Sequence, residues 1–400
     1  MLANRQKYFT PSSDKTCPPL SVAERDRRYL AIRAALREAG LQGLIVTESH
    51  LLYLSNGIWG ETYGLLPTEE EEFEVILPWR YLVDLDPRVV IDSQDWVKRV
   101  SSGRDPSPLV ARIKQLKLDG ARLGFAGALS HQDFSFLMKA LPSLELVNAE
   151  AILNNIRTIK SNDEIALIDR ANQVFNAAIV RICEAARPGM LGREVIALGR
   201  AAMWEAGGDL ASTFTLNFGA RPAQNPLLAD ITLNSPIKDG DVATLTAHAH
   251  FHHYAGHSDQ EIVFGTPKPR HVEMFEAVKK VRAGILKEVR PGLTNRELHD
   301  CYEACCSGSG FLTSEHSQMH QYGLDVPEFP GPAFKMADPR NKPLAGGGNF
   351  ALTKGMVFSI SPTLGDGESG ELLLGGTSLV ISDKGYRELG ARPVELLVAG

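Results

Sequence analysis

The 400-residue chain has no apolar run near the roughly 18 to 20 residues of a membrane span, so a membrane protein is not expected. It has no basic excess: 42 Lys and Arg face 48 Asp and Glu, net −6, with the basic residues scattered. Nucleic-acid binding is therefore not expected. Cysteine is scarce. Cys17, Cys183, Cys301, Cys305 and Cys306 are odd in number and lack metal-ligand spacing, which predicts reduced thiols in a cytoplasmic protein. Cys301 and Cys305 stand one helical turn apart and read as a helix face. The first twenty residues have no apolar core and read as a polar arm rather than a signal peptide. Low-complexity tracts are absent, and Glu69–Glu72 reads as a solvated turn.

What is present is an ordinary globular composition, 44% hydrophobic and 22% charged, over a length that favours two domains. Up to about residue 155 helix and strand signals alternate, as in a three-layer α/β domain. Ser21 and Glu24 make a capping-box pattern before a helix over 22–39. Strands are expected at Gly43–Thr47, Val75–Leu77, Val89–Ile91, Arg122–Phe125 and Leu144–Val147, with helices over 107–117 and 131–140.

From 156 to 400 the chain repeats itself. RPGMLGREV (187–195) and RPGLTNREL (290–298) lie 103 residues apart (290 − 187). Each follows an amphipathic stretch, Asp163–Ala186 and His271–Val289, and precedes another helix and then strand. Pro-Gly just past a helix end stops it in both copies. This predicts an α+β domain with an internal pseudo-twofold. Its strands are expected at Asp241–Phe251 with His257–Phe264, and at Met356–Pro362 with Leu372–Ile381.

The stretch HAHFHHYAGHSD (248–259) holds five of the eleven histidines. Strand alternation puts Thr246, His248 and His250 on one face, and His257, Asp259 and Glu261 on one face of the return strand. His252 and His253 fall in the connection.

Four stretches resemble the pita-bread family of creatinase, prolidase, aminopeptidase P and methionine aminopeptidase: IRTIKSNDEIALIDRA (156–171), KDGDVATLTAHAHFHHYAGHSDQEIVFG (238–265), MHQYGLDVPEF (319–329) and KGMVFSISP (354–362). The likeness spans nearly the whole chain, with creatinase nearest in layout. It implies an α/β N-terminal domain over 1–155 and a pita-bread domain over 156–400 with its pocket in the latter.

The resemblance also implies where a dimetal centre would sit. The family's metallopeptidases hold two ions with two Asp, one His and two Glu. Those positions fall here on Thr246, His257, His320, Ser361, and at or next to Gly375, so only His320 is retained. Creatinase works without metal, but its loop histidine is Gln224 here, its late glutamate Ser361, and its hairpin glutamate Asp259.

Three readings follow. In the favoured one, His257 is the main acid–base group, Asp259 orients it and His320 assists, with Glu261 behind them. No cofactor is needed, and the site hydrolyses a C–N bond of a small amidine, amide or lactam. In the second, His248, His257 and His320 hold one transition-metal ion; imidazoles two apart on a strand stand about 6.6 Å apart. That version also suits a lyase or isomerase. In the third, the domain is a non-catalytic binding module. Substrate contacts are expected from Thr246, His248, Tyr322, Ser361, and from Arg221 and Gln224 in GARPAQNP. The resemblance implies a homodimer in which Trp59 and Tyr63 of GIWGETYG complete the neighbouring site.

Overall fold

The computed structural model describes residues 20–58, 60, 62–69, 72–78, 87–103, 105–209, 212–218, 233–313, 318–330, 334–335 and 349–400. The chain forms two compact units, one Pro18–Arg157 and the other containing Thr158–Gly400. Among the described residues no helix is long and apolar enough to cross a membrane.

The first unit runs α1 (Val22–Glu38), β1 (Gly43–Val46), α2 (Glu48–Ser55), β2 (Tyr63–Pro67), β3 (Glu74–Pro78), α3 (Pro87–Asp92), β4 (Arg99–Gly103), α4 (Ser107–Gln115), β5 (Arg122–Ala126), α5 (His131–Ala140), β6 (Glu145–Asn148) and α6 (Glu150–Thr158). Its sheet has the order β4-β3-β2-β1-β5-β6, with β1, β5 and β6 parallel. Ile45, Leu65, Ile76, Leu109, Ile113, Leu123 and Leu137 close one of its cores.

Two details depart from the sequence expectation. Ser21 caps α1 by accepting from the Glu24 N–H, but the Glu24 carboxylate pairs with Arg27 and Arg28 instead of completing a box. Val89–Ile91, read as strand, lies in α3. Pro87 begins that helix with φ already set for it, and a three-residue apolar run carries no period to decide the matter.

The second unit opens with α7 (Asn162–Ala185) and α8 (Gly192–Glu205). It continues through β7 (Thr213–Phe218), β8 (Val242–Phe251), β9 (Tyr254–Phe264), α9 (Pro269–Glu288) and α10 (Asn295–Ser307). The remaining strands are β10 (Leu312–Thr313), β11 (Gln318–Gln321), β12 (Phe334–Lys335), β13 (Val357–Ser361), β14 (Thr363–Gly365), β15 (Leu372–Leu374), β16 (Thr377–Ile381), β17 (Tyr386–Leu389) and β18 (Leu397–Ala399).

The repeat is a repeat of structure. Gly189 and Gly292 both take positive φ after a long helix, and their N–H groups donate to Ile237 and Leu352 carbonyls. Glu194 and Glu297 then reach back to the N–H of Leu191 and Thr294, starting α8 and α10.

Two antiparallel-rich sheets, β18-β9-β8-β7 and β12-β11-β13-β16-β17, follow from the two halves. The run Leu372–Ile381 is not one strand; it breaks at Gly375–Gly376 into β15 and β16. A core of Val278, Ile285, Leu298, Tyr302, Phe358, Ile360 and Leu379 backs the second sheet.

Candidate functional site

The β8–β9 hairpin sets the site. Its register pairs Thr244 with Glu261, Thr246 with Asp259 and His248 with His257. The strands turn through His252 and His253, whose φ values of 46° and 67° make a tight turn of left-handed residues. Seating on α7 is close: a Cβ on Gly256 would fall 2.4 Å from the Asn172 backbone nitrogen. β11 brings His320 alongside, and β13 brings Ser361.

Three imidazoles converge as the alternation predicts. The His257 ring lies 4.6 Å from His248 and 4.8 Å from His320, centroid to centroid. His257 and His320 are buried and His248 is half-buried. Burial is the main reason all three resist protonation. The His248 pKa falls to about 4, with His250 adding to the effect. That of His257 drops well below its ordinary value, His320 and His248 contributing after burial. His320 shifts the same way through burial and His248, opposed by the Gln321 carbonyl and Asp259. The imidazoles are therefore neutral at pH 7. The Nδ1–H of His320 donates to the Gln321 carbonyl at 3.1 Å, which leaves its Nε2 lone pair free to take a proton.

The carboxylates are arranged differently from expectation. Asp259 does not orient His257. Its oxygens accept from Thr246 Oγ1 at 2.7 Å and Ser361 Oγ at 2.8 Å, although burial still raises its pKa. Glu261 is fully enclosed. Thr244 Oγ1 (2.9 Å) and the Leu374 N–H (2.9 Å) donate to it, and burial pushes its pKa well up. It is a buried brace between β9 and β15, not a proton-transfer partner. Thr246 and Ser361 hold Asp259, so their hydroxyls are committed inward rather than offered to substrate.

Tyr322 is also turned away. Fully buried, its hydroxyl accepts from Asn172 Nδ2 at 3.3 Å, and its ring meets His257 edge-on at 6.1 Å; burial raises its pKa to about 12. It packs behind His257 instead of donating to substrate. Tyr63 lies in β2 within the core of the first unit, 5% exposed, and does not reach outward. Trp59, Arg221 and Gln224 lie outside the described residues.

One residue escaped the sequence reading. Arg392, near the C-terminus, donates to Ser258 Oγ (2.9 Å), the Asp259 carbonyl and Gln260 Oε1 (3.0 Å), fastening β9 behind the site. Burial lowers its pKa to about 10. Only tertiary folding brings a residue 133 positions away to that strand.

The residues present do not suit a pair of metal ions. Where the resemblance puts three of the carboxylate ligands stand Thr246, His257 and Ser361, and Asp259 already has a hydroxyl on each oxygen. The last position resolves to Gly376: a Cβ there would lie 2.6 Å from Asp259 Oδ2, whereas one on Gly375 would meet Val278. Asp259 thus fills the space a side chain at 376 would need. Nor do His248, His257 and His320 bring three ligand nitrogens within 4.8 Å of one another. Among the described residues only His299, Asp300 and Glu303 on α10 do that, largely exposed and away from the hairpin.

Comparison with known proteins agrees with this architecture. The chain is 22% identical to the uncharacterized peptidase YqhT of Bacillus subtilis over 92% of this chain and 98% of that protein. It is 24% identical to the creatinase of a Bacillus species, over 72% of each. The Xaa-Pro dipeptidase structure from Bacillus anthracis superposes with a TM-score of 0.77 at 22% identity, covering 94% of this chain and 99% of that one. The creatinase/prolidase N-terminal domain model matches residues 28–159, and the model of metallopeptidase family M24 matches residues 166–386. The α/β domain, the duplicated pita-bread domain and these matches together make the chain a member of the creatinase/prolidase hydrolases of metallopeptidase family M24.

Proposed function

We propose that this protein hydrolyses a C–N bond in a small polar amidine, amide or lactam without a dinuclear metal centre. The observation that carries the reading is the convergence of three neutral imidazoles, His257 and His320 buried and His248 half-buried, beside positions where the family's carboxylate ligands are replaced. His320 is the general base: its Nδ1–H is engaged, so Nε2 takes a proton from water. The proton then moves from His320 to the adjacent His257 ring, and His257, packed between His320 and His248, delivers it to the leaving nitrogen as the C–N bond breaks. His248 is the more exposed of the three and contacts substrate. The sequence favoured His257 as the main base; the fixed tautomer favours His320 for that role. Asp259 acts on His320 only through its charge.

We propose further that the active form is a cytoplasmic homodimer acting on small molecules. The free thiols of Cys183, Cys301, Cys305 and Cys306 suit a reducing compartment.

The test is turnover of metal-stripped, untagged protein on amidines, lactams and Xaa-Pro dipeptides, alongside elemental analysis. Expected is hydrolysis of a non-peptide substrate that survives chelation and disappears in His257→Ala and His320→Ala. Dipeptide cleavage restored only by added metal would refute the reading.

A further inference from the structure

The first unit holds a cavity that the chemistry above does not use. It lies at the carboxyl ends of β5 and β6, with a volume of about 230 Å³. Phe125, Leu129, Phe134, Leu146 and Val147 give it apolar walls, and Glu150 supplies one carboxylate. Carboxyl ends of parallel strands are where open α/β sheets commonly take ligands. Phe134 leaves 45% of its surface in water, a cost the fold has not removed by packing.

Glu150 is held as a binding group is held. Its Oε1 accepts from the Gly127 N–H at 2.6 Å and its Oε2 from His50 Nε2 at 2.9 Å. His50 Nδ1 in turn receives the Arg157 guanidinium at 3.0 Å, and the same Nη1 donates to Ser49 Oγ. Because arginine can only donate, the His50 proton sits on Nε2, directed at Glu150. His50 and Arg157 are 5% and 4% exposed, while the Glu150 side chain keeps 38%. Gly127 has φ 110°, and a Cβ there would fall 2.2 Å from Thr47 Oγ1, so the donor loop tolerates only glycine. Each carboxylate oxygen has one lone pair engaged and another free, and the arginine reaches it only through a neutral ring. The negative charge is oriented but not cancelled.

We propose that this cavity is a binding site for a small organic monocation, an ammonium or amidinium group on an aryl or branched-alkyl body. The head group would lie on Glu150 and the body among Phe125, Leu129, Phe134 and Leu146. A cavity of about 150 Å³ holds benzene, so the space suffices for a ring and its head group. The apolar walls exclude inorganic cations, and the carboxylate excludes anions.

The experiment is titration of the full-length protein with benzylamine, with benzyl alcohol and benzoate as neutral and anionic isosteres, read by calorimetry and by methyl NMR of the leucines. Expected is saturable benzylamine binding that shifts Leu129 and Leu146. It should be at least tenfold weaker for benzyl alcohol and absent for benzoate. Glu150→Gln should weaken it tenfold or more. Leu146→Trp, which fills the cavity without touching the carboxylate, should abolish it and keeps the test open if Glu150→Gln unfolds. His257→Ala should bind normally. Equal affinity for benzylamine and benzyl alcohol, no binding below 10-fold excess over the roughly millimolar range expected for so few atoms, or loss of binding in His257→Ala would each overturn the assignment.

Discussion

Acidification should loosen the β8–β9 hairpin, and His248 is the residue on which the size can be worked. In the fold its pKa is about 4 against an ordinary 6.5. Because the folded value is the lower one, the unfolded chain takes up the proton first. The stabilising contribution is therefore complete above about pH 6.5 and is lost as pH falls toward 4. Two and a half pH units correspond to about 3.4 kcal/mol. His248 keeps some contact with water, so about 2 kcal/mol is the expected loss. His257 and His320 act in the same direction, while Asp259 and Glu261, raised by burial, act in the opposite one. Comparison with His248→Gln isolates the term. The assay is native-state hydrogen exchange of β8 and β9 amides at pH 7.5 and 5, corrected for intrinsic rates. Only about three-fifths of that loss falls above pH 5, so wild type should lose about 1.2 kcal/mol more protection than the variant. Equal losses, or a His248 ring that titrates near 6.5 by NMR, would refute the argument.

Other outcomes follow from the same contacts. Ser361→Ala removes one donor from a buried carboxylate and should cost about 2 kcal/mol at pH 7 but less as pH falls to 4, because burial raises the Asp259 pKa and favours its neutral form; chemical denaturation at the two pH values decides it. Gly256→Ala forces a Cβ against the α7 backbone and should cost about 3 kcal/mol, read as a lowered melting temperature. Replacing His252-His253 by Asn-Gly suits the left-handed turn and should raise stability by about 0.5–1 kcal/mol without changing turnover. His253→Ala alone should likewise leave turnover intact, whereas His257→Ala should remove it; the reverse pattern in a rate assay would relocate the site along the hairpin.

Periodicity and punctuation were enough for much of this molecule. The alternation of Thr246, His248, His257 and Asp259 places each on its face because a strand has only two faces, and a two-residue turn fixes which residues stand opposite. The Pro-Gly repeats reveal a duplicated domain because a helix terminus needs the same local chemistry wherever it occurs. Short apolar runs such as Val89–Ile91 carry no period, so the helix there was illegible, as was the break at Gly375–Gly376.

What the side chains do to one another was decided only in three dimensions. The sequence could align Asp259 with His257, but Thr246 across the hairpin and Ser361 on the distant strand β13 claim its oxygens. Tyr322 reads as a donor beside His320 until Asn172, 150 positions away, takes its hydroxyl inward. Gly376 explains itself only when Asp259 is seen to occupy its side-chain space. Local order is written in spacing along the chain; hydrogen-bond partners are settled by which groups the folded core leaves within 3 Å, and that depends on the whole chain at once.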